Sequence, residues 1–200
     1  MLVLYYAPRT RAVRIRWLLE ELGTPHELRR VEFKPPSKMF TQDTPLGKLP
    51  VIDDDGVLIC ESGAIVEYIL ERHGDGLLAP AVGSPQRGPF LQWIHFAEGT
   101  AFQPVGTLVW HTFYKGDADQ VPTVVETARE RAHAGFAFVD EALGDREFLL
   151  GEEFSAADIM MGFTLGVAEV FELLDDRYPS LVPYLARLKS RPAFQRATAD

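Results

Sequence analysis

Chemistry is concentrated in the stretch KLPVIDDDGVLICESGAI, Lys48 to Ile65. Pro50 stands at the mouth of an apolar run. A proline gives no N–H to a ladder, so it belongs at a strand start or on an edge, with the backbone beside it open. A ligand of peptide character can then pair with the N–H and C=O of Val51 as a short added strand. Farther along, Glu61 and Ser62 close a second apolar run just before a helical pattern. Ser62 fits a helix N-cap, where the N–H groups of the first turn favour a carboxylate by about 0.3–1 kcal/mol. Glu61 can accept an ammonium. An ammonium beside a carboxylate is the head group of an α-amino acid, so the three positions together suit a small peptide. Singly, each has a plainer reading: Pro50 as an edge residue that stops aggregation, Ser62 as an ordinary cap, Glu61 as a solvated acid.

The elements around this stretch are what must position it. LVLYY (Leu2 to Tyr6) reads as a buried strand, and TRAVRIRWLLEELG as a helix with Thr10 as a cap, a stripe at Ile15, Leu18, Leu19 and Leu22, and Gly23 as its stop. HELRRVEF suggests a second strand, and a short helix is expected near Ser37 to Gln42. The two runs of the quoted stretch are joined by DDDG, whose Asp-Gly end signals a hairpin. After Ser62 a helix carries Ile65, Tyr68 and Ile69 on one face. The order is β-α-β-α-β-β-α.

From Gly74 to Pro89 the chain turns to Gly, Pro and Ala, the punctuation of a linker. Beyond it every pattern is helical. A long aromatic helix runs to Tyr114 and must kink or break at Pro104. A second carries Ala132, Phe136, Val139 and Leu143. A third, with Met160, Phe163, Val167, Val170 and Leu174, is apolar on most sides. Ser155 and Asp158 stand three apart before it, a capping box with Asp in place of Glu. Two short helices split at Pro192 end the chain. The expected domains are 1–76, α/β, and 90–200, all-α, with 77–89 between them.

Composition removes several function classes. The 200 residues are 46% hydrophobic, enough for a core, and the net charge of −9 argues against nucleic acid as the main partner. No apolar run reaches the roughly 18 residues of a membrane helix, and the N-terminus lacks a signal-peptide pattern, so a cytoplasmic protein away from membranes is expected. The single Cys60 forms no internal disulfide and no cysteine-rich zinc site. His26, His73, His95, His111 and His133 lack metal-ligand spacing, so no metal is expected.

The blocks PLGKLPVIDDDGVLICESGAIVEYI, LYYAPRTRAVRIRWLLEELG, GEEFSAADI and YPSLVPYLARLKSRPAF, in this order and spacing, resemble the glutathione S-transferases over nearly the whole chain. The resemblance implies a thioredoxin-like N-terminal domain and an all-helical C-terminal domain. It implies a cis bond before Pro50 and a glutathione site made of Lys48, Leu49, Pro50, Val51, Glu61 and Ser62, with Lys48 or Lys38 for the glycyl carboxylate. It also implies a homodimer and an apolar pocket near Phe102, Trp110, Phe113 and Tyr114 for a small electrophile.

Such a transferase holds the glutathione sulfur as a thiolate, although a free thiol ionises only near pH 8.5. Family members with a catalytic serine carry it four residues before an arginine, which here falls on Thr10 relative to Arg14. Tyr6, in the first strand, is the other hydroxyl, and Arg11, near where other members carry a cysteine, is a cation. The catalytic candidates are therefore Thr10, Tyr6 and Arg11. Three arginines at one helix start, Arg9, Arg11 and Arg14, suggest an anion nearby. A glutathione-binding or regulatory protein without transferase activity, or a glutathione-dependent isomerase or reductase, are the alternatives. A dithiol reductase is disfavoured by the lack of Cys-x-x-Cys.

Overall fold

The structure is a computed structural model that describes residues 1–34, 39–40 and 44–199. Its contacts divide into two units: Met1–Ala79 together with the chain from Lys189 on, and Pro80–Leu188. The first is the thioredoxin-like α/β part and the second is all-helical.

In the first unit a four-stranded sheet has the order β2-β1-β5-β6, with β1 (Leu2–Tyr6), β2 (His26–Arg30), β5 (Val51–Asp54) and β6 (Val57–Cys60). β1 is parallel to β2 and antiparallel to β5. It is an interior strand buried at all five residues, which is why its sequence is a continuous apolar run rather than an alternation. β2 is an edge, and its exposed Glu27, Arg29 and Arg30 discourage further pairing. The expected second strand ends early. Two residues farther on, β3 (Phe33–Lys34) pairs with β4 (Met39–Phe40). Of the short helix expected at Ser37 to Gln42, only Met39 and Phe40 lie within the described residues, and they are strand.

The hairpin is as expected. Asp55 and Gly56 take φ of 51° and 91°, the left-handed pair of a two-residue turn, and Asp53 Oδ1 accepts the Gly56 N–H at 2.7 Å. Helix α1 (Ala12–Leu22) stops at Gly23, whose φ of 65° lets its N–H return to the Leu19 carbonyl. Leu4, Ile15, Leu18, Leu19, Ile52, Ile65 and Ile69 are fully buried and join the sheet to α1 and to α2 (Ser62–His73).

The C-terminal helix α8 (Pro192–Thr198) belongs to this unit, whereas the sequence places it with the helical domain. Trp17 meets the Phe194 ring edge-on at 4.9 Å, and Arg191 grips both Glu21 oxygens at 2.7 and 2.9 Å. These partners are some 170 positions apart in the chain, beyond any local pattern.

The second unit contains α3 (Arg87–Phe96), a π turn (Ala97–Phe102), α4 (Gln103–Val109) and a second π turn (Trp110–Lys115) in one run. Thus Arg87–Pro89, in the expected linker, are already helical. Pro104 does not break the run. It lies in the first turn of α4, and the π turn just before it takes up the missing N–H. Thr164 supports that turn, donating to the Ala97 and Met160 carbonyls at 3.1 and 3.2 Å. Helices α5 (Pro122–Leu143), α6 (Ala156–Val170) and α7 (Leu181–Lys189) follow. α6 ends at Val170, which is 64% exposed, so Leu174 lies outside it.

The capping box of α6 is present: the Asp158 carboxylate accepts the Ser155 N–H at 2.8 Å. It also takes the Leu149 N–H at 2.9 Å and the Tyr184 hydroxyl at 2.7 Å, so one buried acid fixes three segments. No helix among the described residues is long and apolar enough to cross a membrane.

Asp54, at the end of β5, anchors the last turns of α2. It is buried and accepts from Tyr68 at 3.0 Å, His73 at 2.8 Å and Arg72 at 2.9 Å. Burial alone pushes its carboxyl up, but the bonds from His73 and Tyr68 and the charges of His73 and Arg72 outweigh it, so the net shift is downward. A depressed pKa means stability that is present above the unfolded value, near 3.9, and lost as the pH falls through the folded one. We therefore expect Asp54→Asn to cost about 1–2 kcal/mol at neutral pH, with the half-exposed Arg72 contributing little. In urea melts the gap between the two proteins should close as the pH drops below about 4. A gap that stays constant through that range would contradict this assignment.

Candidate functional site

The turn between β1 and α1, Ala7 to Arg11, is built around Thr10. Its hydroxyl donates to the Ala7 carbonyl at 2.7 Å, and its Oγ1 accepts the Ala12 N–H at 3.3 Å. Its own carbonyl accepts the Val13 N–H at 3.0 Å. The N-cap of α1 is Arg11, in helical conformation, rather than Thr10. Thr10 still satisfies one free N–H of the first turn, because that turn is tightened by i to i+3 bonds.

Tyr6 is buried, and its hydroxyl points at the Ala197 carbonyl of α8 at 3.5 Å, with the Arg16 guanidinium 5.1 Å from its ring. It shares a strand face with Leu2 and Leu4, so it serves the docking of the C-terminal helix. Tyr5, on the other face, accepts from Arg29 at 3.0 Å. Arg11 is half-buried and Arg9 exposed.

The residue that joins this turn to the second loop is Arg14. It is 0% exposed, and its Nη1 donates to Ser62 Oγ at 3.1 Å. Ser62 is itself 3% exposed and is the first residue of α2, so it is not the cap that the sequence suggests. Glu61 is the N-cap. Its carbonyl accepts the Ile65 N–H at 2.9 Å, and it takes φ 73° and ψ 112°, a conformation that a non-glycine residue adopts only at a cost. That turn leaves the Glu61 side chain in solvent while Ser62 points inward.

The geometry sets the polarity of the Ser62 hydroxyl. Arg14 fills a lone pair, so the single hydroxyl proton is available to an acceptor. The backbone N–H of Ser62 is also one of the N–H groups that a helix start leaves without an internal partner. An O–H and an N–H on one residue at a helix N-terminus suit a carboxylate.

The Leu49–Pro50 peptide is cis, and both residues are buried. Pro50 precedes an interior strand, which decides between the two positions open to it. Val51 is 1% exposed and begins β5, with Tyr5 opposite on one side and Cys60 on the other. A strand residue paired on both sides directs its own N–H and C=O into one of those two ladders, so the open backbone that the sequence suggests beside Pro50 is not found at Val51. Lys48 is exposed, and Lys38 lies outside the described residues.

Arg14 entered the sequence reading as a ruler for Thr10 and as one of three cations at a helix start, without a link to Ser62. Its signal was a charge in register with Leu18, four residues on, in the apolar stripe of α1. Among the described residues no group of three or more His, Cys, Asp or Glu could hold a metal ion.

Comparison with known proteins fits this geometry. Residues 1–71 match the family model described as Glutathione S-transferase, N-terminal domain, and residues 122–187 match the corresponding C-terminal domain. Glutathione S-transferase 3 of Schizosaccharomyces pombe is 27% identical over 96% of this chain and 85% of its own. A glutathione S-transferase-like protein of Beauveria bassiana is 30% identical over 93% of this chain and 88% of its own. A glutathione transferase family member from Pseudomonas fluorescens, crystallised with two glutathione bound, superposes with a TM-score of 0.87 at 27% identity, covering 98% of this chain and 92% of that one. The chain belongs to the glutathione S-transferase family.

Proposed function

We propose that this protein is a glutathione transferase, in which the glutathione thiolate attacks an apolar electrophile. The observation that carries the reading is the buried Arg14–Ser62 bond, which leaves the Ser62 proton and N–H for an anion while Glu61 stays in solvent to accept an ammonium. Those groups would hold the γ-glutamyl end, and the backbone at Leu49 and Pro50, just before Val51, would meet the cysteinyl residue. Lys48 would meet the glycyl carboxylate.

The sulfur would then lie at the start of α1. Thr10 spends its proton on the Ala7 carbonyl, a neutral acceptor. A thiolate is charged and accepts more strongly, so it would draw the proton away from that carbonyl. The positive end of α1 and the guanidinium of Arg11 add to the same field. In the reaction the sulfur forms a bond to the electrophilic carbon, the leaving group departs with its electron pair, and the thiol proton goes to solvent.

A second reading is a glutathione-dependent reductase, in which a second glutathione takes the electrophile's place. It is favoured by the relative that holds two glutathione molecules. Conjugation of an aryl halide, measured beside reduction of a glutathione mixed disulfide, separates the two. Glutathione binding by calorimetry with neither activity would indicate a binding protein.

Ser62→Ala should weaken glutathione binding by about 1–3 kcal/mol, because the ligand carboxylate and Arg14 both lose a partner. Unchanged affinity in a protein that still melts cooperatively would remove Ser62 from the site. Thr10→Val keeps the shape and removes the donor. It should raise the kinetic pKa of the bound thiol and slow conjugation at neutral pH by roughly tenfold. If the pH profile stays put, the hydroxyl is structural. We also infer a closed homodimer, the commonest oligomer. Sedimentation should give twice the chain mass of 22.4 kDa, and a monomer at every micromolar concentration would refute it.

A further inference from the structure

We infer that Arg9 selects electrophiles that carry an anionic group, such as a carboxylate, and that it receives this group beside the glutathione sulfur. The inference rests on the transferase reading and names the substrate class of that site.

Arg9 adjoins Thr10 on the turn from β1 to α1, and its side chain is exposed. Among the described residues it makes no hydrogen bond or ion pair. Of the other exposed arginines, Arg29 meets Glu27, Arg72 meets Asp54, Arg177 meets Asp175 and Arg196 meets Glu20, while Arg30 and Arg131, like Arg9, meet no carboxylate among the described residues. Acidic residues outnumber basic ones by 29 to 20, so an unengaged guanidinium on this turn is not a matter of scarce partners.

The backbone adds a second observation. Arg9 sits at φ 59°, the left-handed region where glycine is at ease and a long side chain is not. Four non-glycine residues other than aspartate take this region among those described: Arg9, Glu61, Leu78 and Glu172. Two of the four, Arg9 and Glu61, lie on the loops of the proposed glutathione site. Glu61 is proposed to meet a ligand group there, and we read the strained Arg9, on the turn whose helix Arg14 ties to Ser62, in the same way. The glutathione carboxylates are already assigned to Ser62 and Lys48, which leaves the second substrate as the source of the anion. A planar guanidinium in solvent, with no partner among the described residues to give up, takes a carboxylate without breaking a pair seen there.

The test is calorimetric binding of two glutathione conjugates that differ in charge at the aryl group, S-(2,4-dinitrophenyl)glutathione and S-(2-nitro-4-carboxyphenyl)glutathione. The wild type should bind the carboxylated conjugate about threefold to tenfold more tightly at low salt, the scale of one partly exposed ion pair, and the preference should shrink as salt rises. Arg9→Gly should abolish the preference, bind the dinitrophenyl conjugate within about twofold of wild type, and melt no lower, since glycine suits that φ. Arg9→Lys should keep part of the preference. Equal binding of both conjugates by the wild type, with glutathione still bound, overturns the inference and spares the glutathione site. A preference that survives Arg9→Gly overturns it too, by assigning the anion to another cation. If neither conjugate nor glutathione binds, the glutathione reading falls and this one falls with it.

Discussion

A fully buried guanidinium is costly unless its N–H groups are used, and in this protein one of them is used on Ser62. That single contact ties the first turn of α1 to the first residue of α2. It also decides what Ser62 can do, because a hydroxyl that accepts from arginine has its one proton left to give. The far end of α2 is fixed by Asp54 of β5 through Tyr68, Arg72 and His73, so the helix is held at one end by α1 and at the other by the sheet. The helix N-terminus proposed to meet the ligand is therefore set by contacts within the protein. An interior of fixed groups costs little to reorganise when a charge arrives, and such preorganisation is what a binding site for a thiolate and two carboxylates requires.

Two of the six non-glycine residues with positive φ among those described lie next to this fixed point. Glu61 and Arg9 both occupy left-handed backbone on the two loops that frame the proposed site. The hydrogen bonds of Thr10 stay within its own turn. A turn that closes on itself through a threonine hydroxyl can exchange a neutral acceptor for a charged one without unfolding, which a hydroxyl buried in a tertiary contact cannot do. Tyr6 is the contrasting case, with its hydroxyl against Ala197 and its ring under Arg16.

The helical unit obeys the same economy of buried polar groups. One carboxylate, Asp158, gathers the Ser155 and Leu149 N–H groups and the Tyr184 hydroxyl, and so orders the start of α6, the segment before it and α7 together. Thr164 does for the π turn at Ala97 what Ser155 does for the helix start: it supplies a side-chain bond where the backbone ladder is irregular.

What the sequence determined by itself is what short-range physics determines. The Gly23 stop of α1, the Asp55–Gly56 turn and the Ser155–Asp158 box each need partners only a few residues away, and each stands where its pattern puts it; β1, whose partners are distant, was legible only as a continuous apolar run. Pro50 at a strand start, with Val51 after it, was legible for the same reason. The tertiary structure decided the rest. Whether Glu61 or Ser62 caps α2 depended on Arg14, 48 positions away, drawing the Ser62 side chain inward. Whether Tyr6 faced a ligand or the core depended on α8, 191 positions from it, and whether α8 joined the sheet or the helices depended on Glu20, Glu21 and Trp17. Periodicity reports which face of an element is apolar, but not which distant segment will cover it. An arginine in an apolar stripe reads as a solvated residue until the fold closes over it and gives its N–H a place to go.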